Sequence, residues 1–205
     1  MLWGCLTMPT VLLALRWSAS LPAALAAALA VSAAAPGTAR GQSEAPGEAE
    51  SLEAWQRIAS VLQHPRCINC HQVAVPLQGD AGRVHVPLVV RGPDDHGVSA
   101  MRCGNCHNEV GNNPTSGTPG APHWALAPVE MQWQGLSVAE LCAQLKDPAR
   151  NGGRSPGALL EHMTDDPLVG WGWQPGAGRE PVPIAREDFA ALMQTWVDGG
   201  TACPS

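Results

Sequence analysis

The chain carries one five-residue cysteine and histidine pattern twice, and this repeat constrains its fold more than any other feature. The two copies read Cys67-Ile-Asn-Cys70-His71 and Cys103-Gly-Asn-Cys106-His107. Cys-x-x-Cys-His is the attachment signature of c-type haem. Its two thiols bond to the vinyl groups of a porphyrin, and the histidine that follows binds the iron. The sequence therefore predicts two haem c cofactors, attached at Cys67, Cys70, Cys103 and Cys106, with His71 and His107 as proximal iron ligands.

Two other uses of these cysteines stay open. Two Cys-x-x-Cys pairs can build a zinc site, and such a pair can also act as a redox dithiol of the thioredoxin type. Each pair here is followed directly by a histidine that a four-thiolate zinc site does not need. The repeated histidine favours haem over the zinc or redox module.

The N-terminal segment has the pattern of a secretory leader. Arg16 precedes the apolar stretch Leu21–Ala35, which is followed by further small residues. A positive residue, a short apolar run and small residues at the end are typical of a signal peptide. We expect a signal peptide over 1–41, with its cleavage site open, and a periplasmic mature domain over 42–205. A retained membrane anchor is the alternative, although the stretch is shorter than the about 20 residues that a span needs.

Export also gives a role to the two cysteines outside the repeat. Cys142 and Cys203 are the remaining pair once the leader is removed, and an oxidising compartment favours a disulfide between them. The net charge of −6 argues against a nucleic-acid partner, which needs a basic surface.

Helix signals in the mature chain are separated by long irregular stretches. Four helices are predicted, capped or bounded as follows: from Ser51 towards Pro65, from Ser137 to Asp147, from Ser155 to Met163, and Arg186–Asp198. The stretches 72–101, 108–136 and 164–185 are expected to be irregular. The fold class is therefore mainly α with extensive irregular loops, cytochrome c-like and wrapped around two covalently bound haems.

The ligand on the second face of each iron decides the chemistry. His162 is available because Leu159 and Met163 take the inward face of their short helix. His85 follows His71 by a loop long enough to pass round a porphyrin edge. Two alternatives lie in the proline-rich loop after the second motif, namely Met131 and His123. A methionine ligand would raise the reduction potential relative to two imidazoles, and an iron with no second protein ligand would be open to substrate.

Several segments beyond the cysteine motifs resemble a family of small exported bacterial cytochromes, often labelled isoquinoline 1-oxidoreductase subunits. The resemblance runs from about residue 52 to the C-terminus, and its segments are Met131–Trp133, Leu141–Arg154, His162, Asp166–Gly176, Val86–Gly92 and Ala202–Pro204. It implies that His85 and His162 are ligands, and that the partner is a molybdenum hydroxylase of the xanthine-oxidase type.

These observations together favour an electron carrier over an enzyme. We expect a periplasmic dihaem cytochrome that takes electrons from a molybdenum hydroxylase-type dehydrogenase and passes them towards the respiratory chain. The chain itself would have no catalytic residue, and it would meet a membrane only if the N-terminal segment is retained. A dihaem enzyme of the peroxidase type, or a sensor with one open iron, is the alternative.

Overall fold

Helices α1 and α6 pack along each other and form the centre of the structure. The computed structural model describes residues 45–114 and 116–205. The helices are α1 (Glu48–Leu62), α2 (Pro65–Ile68), α3 (Val138–Lys146), α4 (Pro156–Asp165), α5 (Pro167–Gly170) and α6 (Arg186–Asp198). Two short antiparallel strands, β1 (Leu77–Gln78) and β2 (Arg83–Val84), form the sheet found in these residues. The described part of the chain is therefore mainly α, and the predicted signal peptide over 1–41 lies outside it.

Large apolar side chains fill the space between α1, α3, α4 and α6. Trp55 and Trp196 are fully buried and pack with their ring centroids 5.1 Å apart. Each indole also has a hydrogen-bond acceptor, because Trp55 Nε1 donates to the Val138 carbonyl and Trp196 Nε1 donates to the Ala202 carbonyl, both at 3.0 Å. Buried indoles need such partners. Cys67 and Ile68 of the first cysteine motif pack against this core.

The first helix begins earlier than its sequence predicts. Gly47, and not Ser51, is the N-cap of α1, and its N–H donates to the Glu50 carboxylate. Ser51 lies inside the helix, fully buried, where its hydroxyl donates to the Trp196 carbonyl and accepts from the Ala202 N–H. The serine therefore ties α1 to the end of α6, and the prediction of a cap at this position was wrong.

The other three helices agree with the sequence. Ser137 and Glu140 form a reciprocal capping box at the start of α3, as that spacing predicts. Ser155 caps α4, which continues to Asp165, and α6 spans Arg186–Asp198. Turn signals and caps thus located these helices to within two residues.

A disulfide joins α3 to the C-terminal segment. Cys142 and Cys203 are bonded, with their Cα atoms 5.6 Å apart, which is within the normal range for such a bridge. Cys142 is fully buried in the core. The predicted pairing is therefore confirmed.

The stretches expected to be irregular contain short elements. Single turns of 3-10 helix occur there at Ser99–Met101, Val129–Met131 and Trp171–Trp173, and a further one lies within the second cysteine motif at Cys103–Asn105. Among the described residues, none of the helices combines the length and the apolar character that a membrane span needs.

Candidate functional site

The first cysteine motif lies at the edge of a mostly apolar cavity. Helix α2 begins at Pro65, with His64 Nδ1 accepting from the Arg66 N–H at 3.3 Å. Cys67 and Cys70, at and just after its end, face a cavity of about 230 Å³. We call this the first cavity, and its wall includes Cys67, Cys70, His71, His162 and the tryptophans at 124, 133 and 171. The cysteines and the histidine of the first motif thus line an apolar cavity, and a covalently attached porphyrin would require such surroundings.

His71 is held in one orientation by two contacts. Its Nδ1 lies 2.7 Å from the Met131 carbonyl oxygen, and since a carbonyl can only accept, Nδ1 carries the proton. The ring also stacks on Trp133, with centroids 3.3 Å apart and planes 13° apart. Burial lowers the pKa of His71 to about 4, so the ring is neutral at physiological pH. A neutral imidazole with Nδ1 bonded to a carbonyl leaves Nε2 for a metal, which is the usual arrangement of a ligating histidine.

His162 lines the same cavity from a different part of the chain. It lies in α4, and a positive charge on its ring would lower the pKa of His71. Asp166 follows His162 by four residues in the chain, and its carboxylate lies 3.4 Å from His162 Nδ1. Burial lowers the pKa of His162 in spite of this carboxylate. The cavity therefore brings together the proximal histidine of the first motif and one predicted distal ligand.

The two alternative ligands occupy different surroundings. Met131 lines the first cavity and is buried, and its backbone carbonyl accepts a hydrogen bond from His71 Nδ1–H. That contact puts its main chain behind the proximal histidine. His123 is exposed, in a backbone conformation with φ of 59°. Of these two residues, only Met131 reaches the first cavity.

The second motif is more open to solvent. Cys103 begins a 3-10 turn and is half-buried, and Cys106 is exposed. Arg102, the residue before the motif, forms an exposed ion pair with Asp94 at 2.7 Å. A porphyrin attached at these thiols would therefore have an edge near the protein surface.

His85 faces the histidine of this second motif. The ring centroids of His85 and His107 are 6.2 Å apart. Two imidazoles on opposite sides of one metal ion have centroids about 6 Å apart, because each metal–nitrogen bond is about 2 Å and the ring adds about 1 Å. His85 Nδ1 donates to the Pro87 carbonyl at 2.9 Å, again leaving Nε2. The second predicted distal ligand thus lies at the distance from His107 that a shared iron needs.

An aromatic contact connects the two sites. His107 stacks on Trp124 with centroids 4.1 Å apart, and Trp124 also lines the first cavity. The His107 ring of the second motif therefore contacts a residue of the first cavity, and this contact makes the two sites neighbours in the fold.

The four motif cysteines are free thiols. Burial raises the pKa of Cys67 to about 12 and, with Cys103 nearby, that of Cys70 to about 11. A redox dithiol needs a lowered pKa, because the thiolate is the reactive form. The two thiols of the first motif therefore do not have the electrostatic setting of a thioredoxin-type site. Among the described residues, no group of three or more His, Cys, Asp or Glu side chains is arranged to hold a metal ion.

Haem fits the arrangement on three counts. The thiols and His71 of the first motif line a mostly apolar cavity that His162 also lines. The ring centroids of His85 and His107 are 6.2 Å apart, and three of these four histidines have an oxygen partner at Nδ1. The fourth, His107, has a buried Nδ1 with no partner in the described part of the chain.

Sequence reasoning missed the residues that support the ligands. Asp166 stands four residues after His162, a helical spacing that could have indicated the contact. Trp133 has no comparable pattern. Arg91 joins three segments, since its guanidinium donates to carbonyl oxygens of Gln72, Val73 and Ala127. Such long-range contacts leave no local pattern in a sequence.

Comparison with known proteins adds no relative. The chain was compared with protein families, curated proteins and solved structures, and none of the three comparisons gives a match.

Proposed function

We propose that the protein is a periplasmic dihaem c-type cytochrome that transfers electrons, with His71 and His162 as ligands of one iron and His107 and His85 as ligands of the other. The observation that carries this proposal is the pairing of histidines. His162 lines the same cavity as His71, and the ring centroids of His85 and His107 are 6.2 Å apart. The family resemblance adds a molybdenum hydroxylase-type dehydrogenase as the electron donor.

The residues around each iron suit electron transfer better than substrate chemistry. A bound haem supplies an iron that gains and loses one electron. Two protein ligands on each iron would leave no position for a substrate, and the Nδ1 contacts of His71, His85 and His162 would hold these three rings in one orientation. The described acidic side chains near the first cavity include Asp166, whose carboxylate already supports His162 and caps α5. Among the described residues that line this cavity, Asp166 is the one with a carboxylate side chain.

The association with a partner is expected to depend on salt. The chain has a net charge of −6, and haem propionates add negative charge. Electrostatic steering favours basic partners at low ionic strength and weakens as salt increases. A redox partner with a basic docking face is therefore the expected acceptor or donor.

The optical spectrum of the exported, haem-loaded protein tests the proposal. We expect reduced c-type bands at two haems per chain, with no change when carbon monoxide is added to the ferrous protein. A Soret band that shifts with carbon monoxide would instead indicate an open iron and the peroxidase or sensor alternative. A protein without haem bands would return the cysteines to zinc or redox chemistry.

Replacing either distal histidine is expected to open one iron. In His162→Ala or His85→Ala, one haem of the pair loses its second imidazole, so the ferrous protein should bind carbon monoxide at half of its haem. Carbon monoxide difference spectra at known haem concentration measure this fraction.

Two matched variants separate the four candidate ligands. Met131→Leu keeps the side-chain volume and the carbonyl that bonds to His71, and His123→Asn keeps a residue that tolerates a positive φ. Both are expected to stay closed to carbon monoxide. If either one opens an iron while His162→Ala and His85→Ala do not, the ligand assignment is wrong.

A further inference from the structure

One arginine, Arg91, bonds to several segments of the chain around the first cysteine motif. Its side chain is only 13% exposed, and its guanidinium makes four hydrogen bonds. Three of the acceptors are the backbone carbonyls of Gln72, Val73 and Ala127, and the fourth is the Asp95 carboxylate. A guanidinium carries five N–H donors in all. Arg91 therefore uses most of its hydrogen-bonding capacity to connect parts of the fold.

The contacts that orient His71 come from a single short segment. The Met131 carbonyl accepts from His71 Nδ1–H, and the His71 ring stacks on Trp133. The Trp133 N–H also donates to the His71 carbonyl at 3.1 Å. We call residues 127–133 the support segment. The orientation of the His71 ring depends on where this segment lies relative to the main chain of the first motif.

Arg91 bonds to both of these parts at once. Its Nη1 donates to the carbonyl of Ala127, the first residue of the support segment, at 2.6 Å. Its Nε and Nη2 donate to the carbonyls of Val73 and Gln72, the two residues that follow His71. The donors of a guanidinium stand in a rigid planar fork, whereas lysine offers one nitrogen on a flexible stem. Arginine can therefore hold the two parts at a fixed separation, and lysine cannot.

We propose that Arg91 is a positioning residue for His71, which keeps the support segment in register with the first motif and so holds the imidazole in the orientation of an iron ligand. This inference rests on the proposed function, in which His71 binds the first haem. Arg91 is not among the described residues that line the first cavity. It acts on the ligand through the support segment, and its loss should let the bond between His71 Nδ1–H and the Met131 carbonyl open more often.

Hydrogen exchange of the His71 Nδ1 proton in ferrous, haem-loaded protein is the main test. Proton NMR follows this signal, which the neighbouring Trp133 ring identifies. In Arg91→Lys we expect exchange with solvent to be about tenfold faster or more, because the hydrogen bonds that resist local opening are lost. Lysine keeps the positive charge, so the change in rate reports position and not charge.

Two references separate positioning from a general loss of stability. Arg57→Lys makes the same chemical change at an exposed site on α1, and it should leave the exchange rate of His71 unchanged. Within Arg91→Lys, the Trp55 indole proton is the second reference, because it is bonded to the Val138 carbonyl in the core. This proton should keep its native rate. Equal acceleration of the Trp55 and His71 protons would mean that the whole fold is weakened, and it would overturn the inference.

Native protein alone provides a further test, which stands even if the variant does not mature. The Arg91 Nε proton, bonded to Val73, should exchange more slowly than the Nε proton of exposed Arg57. Equal rates would overturn the inference, as would an Arg91→Lys variant that matches Arg57→Lys. In both cases two closed haems would leave the cytochrome proposal intact. Native protein without covalent haem would overturn the proposed function and, with it, the ligand role of His71.

Discussion

A chain in which Cys67 and Cys70 are both replaced by alanine is expected to carry half of the covalent haem of the native protein. Without thiols, no thioether bonds can form at the first motif, while the second motif keeps Cys103 and Cys106. The mass of the intact protein and a haem assay per chain measure the loss. The first cavity would then be an empty apolar cleft, and the variant should also unfold at a lower denaturant concentration than the native protein.

The corresponding pair Cys103→Ala and Cys106→Ala is the matched variant. It should also lose half of the haem, but with less effect on stability, because its thiols lie nearer to solvent. The two variants should show different remaining spectra, since each keeps a different haem. A zinc site made of both pairs predicts another result, in which either change abolishes metal binding completely.

Removal of the disulfide is expected to cause the largest loss of stability. The bond between Cys142 and Cys203 closes a loop with a sequence separation of 61. For that length, the loop-entropy relation gives about 4 kcal/mol of destabilisation in a Cys142→Ala, Cys203→Ala variant. Urea unfolding of haem-loaded protein, followed by tryptophan fluorescence, measures the free energy of unfolding.

Reduction supplies the control for this experiment. Dithiothreitol should bring native protein towards the stability of the variant and should not affect the variant itself. Thioether bonds resist thiol reagents, so the haem content stays the same throughout. Equal stability of native and variant protein would contradict the prediction.

Local patterns in the sequence predicted the parts of the structure that depend on few neighbours. The start of α3 follows from Ser137 and Glu140, whose capping box is complete within four residues. The disulfide follows from counting cysteines in an exported chain. Each motif histidine directly follows a cysteine in the chain, so its position beside that cysteine needs no long-range contact.

The features that could not be predicted depend on contacts between residues far apart in the chain. Ser51 has the residue type of a cap, but its hydroxyl is used by Trp196 and Ala202 at the other end of the chain. No local pattern in the sequence indicates which predicted distal histidine belongs to which cysteine motif. That match depends on how α4 and the segment after β2 fold back, and the distance between the rings of His85 and His107 appears only in three dimensions.

The link between the two motifs through Trp124 affects how a redox titration of the haem-loaded protein would have to be interpreted. Haems at both motifs would be neighbours, so the charge on one iron would act on the other through protein of low dielectric constant. The first electron would then make the second harder to add, even where the two ligand sets are the same. As with coupled proton sites, the measured midpoints would be macroscopic values of the pair and would belong to neither haem alone.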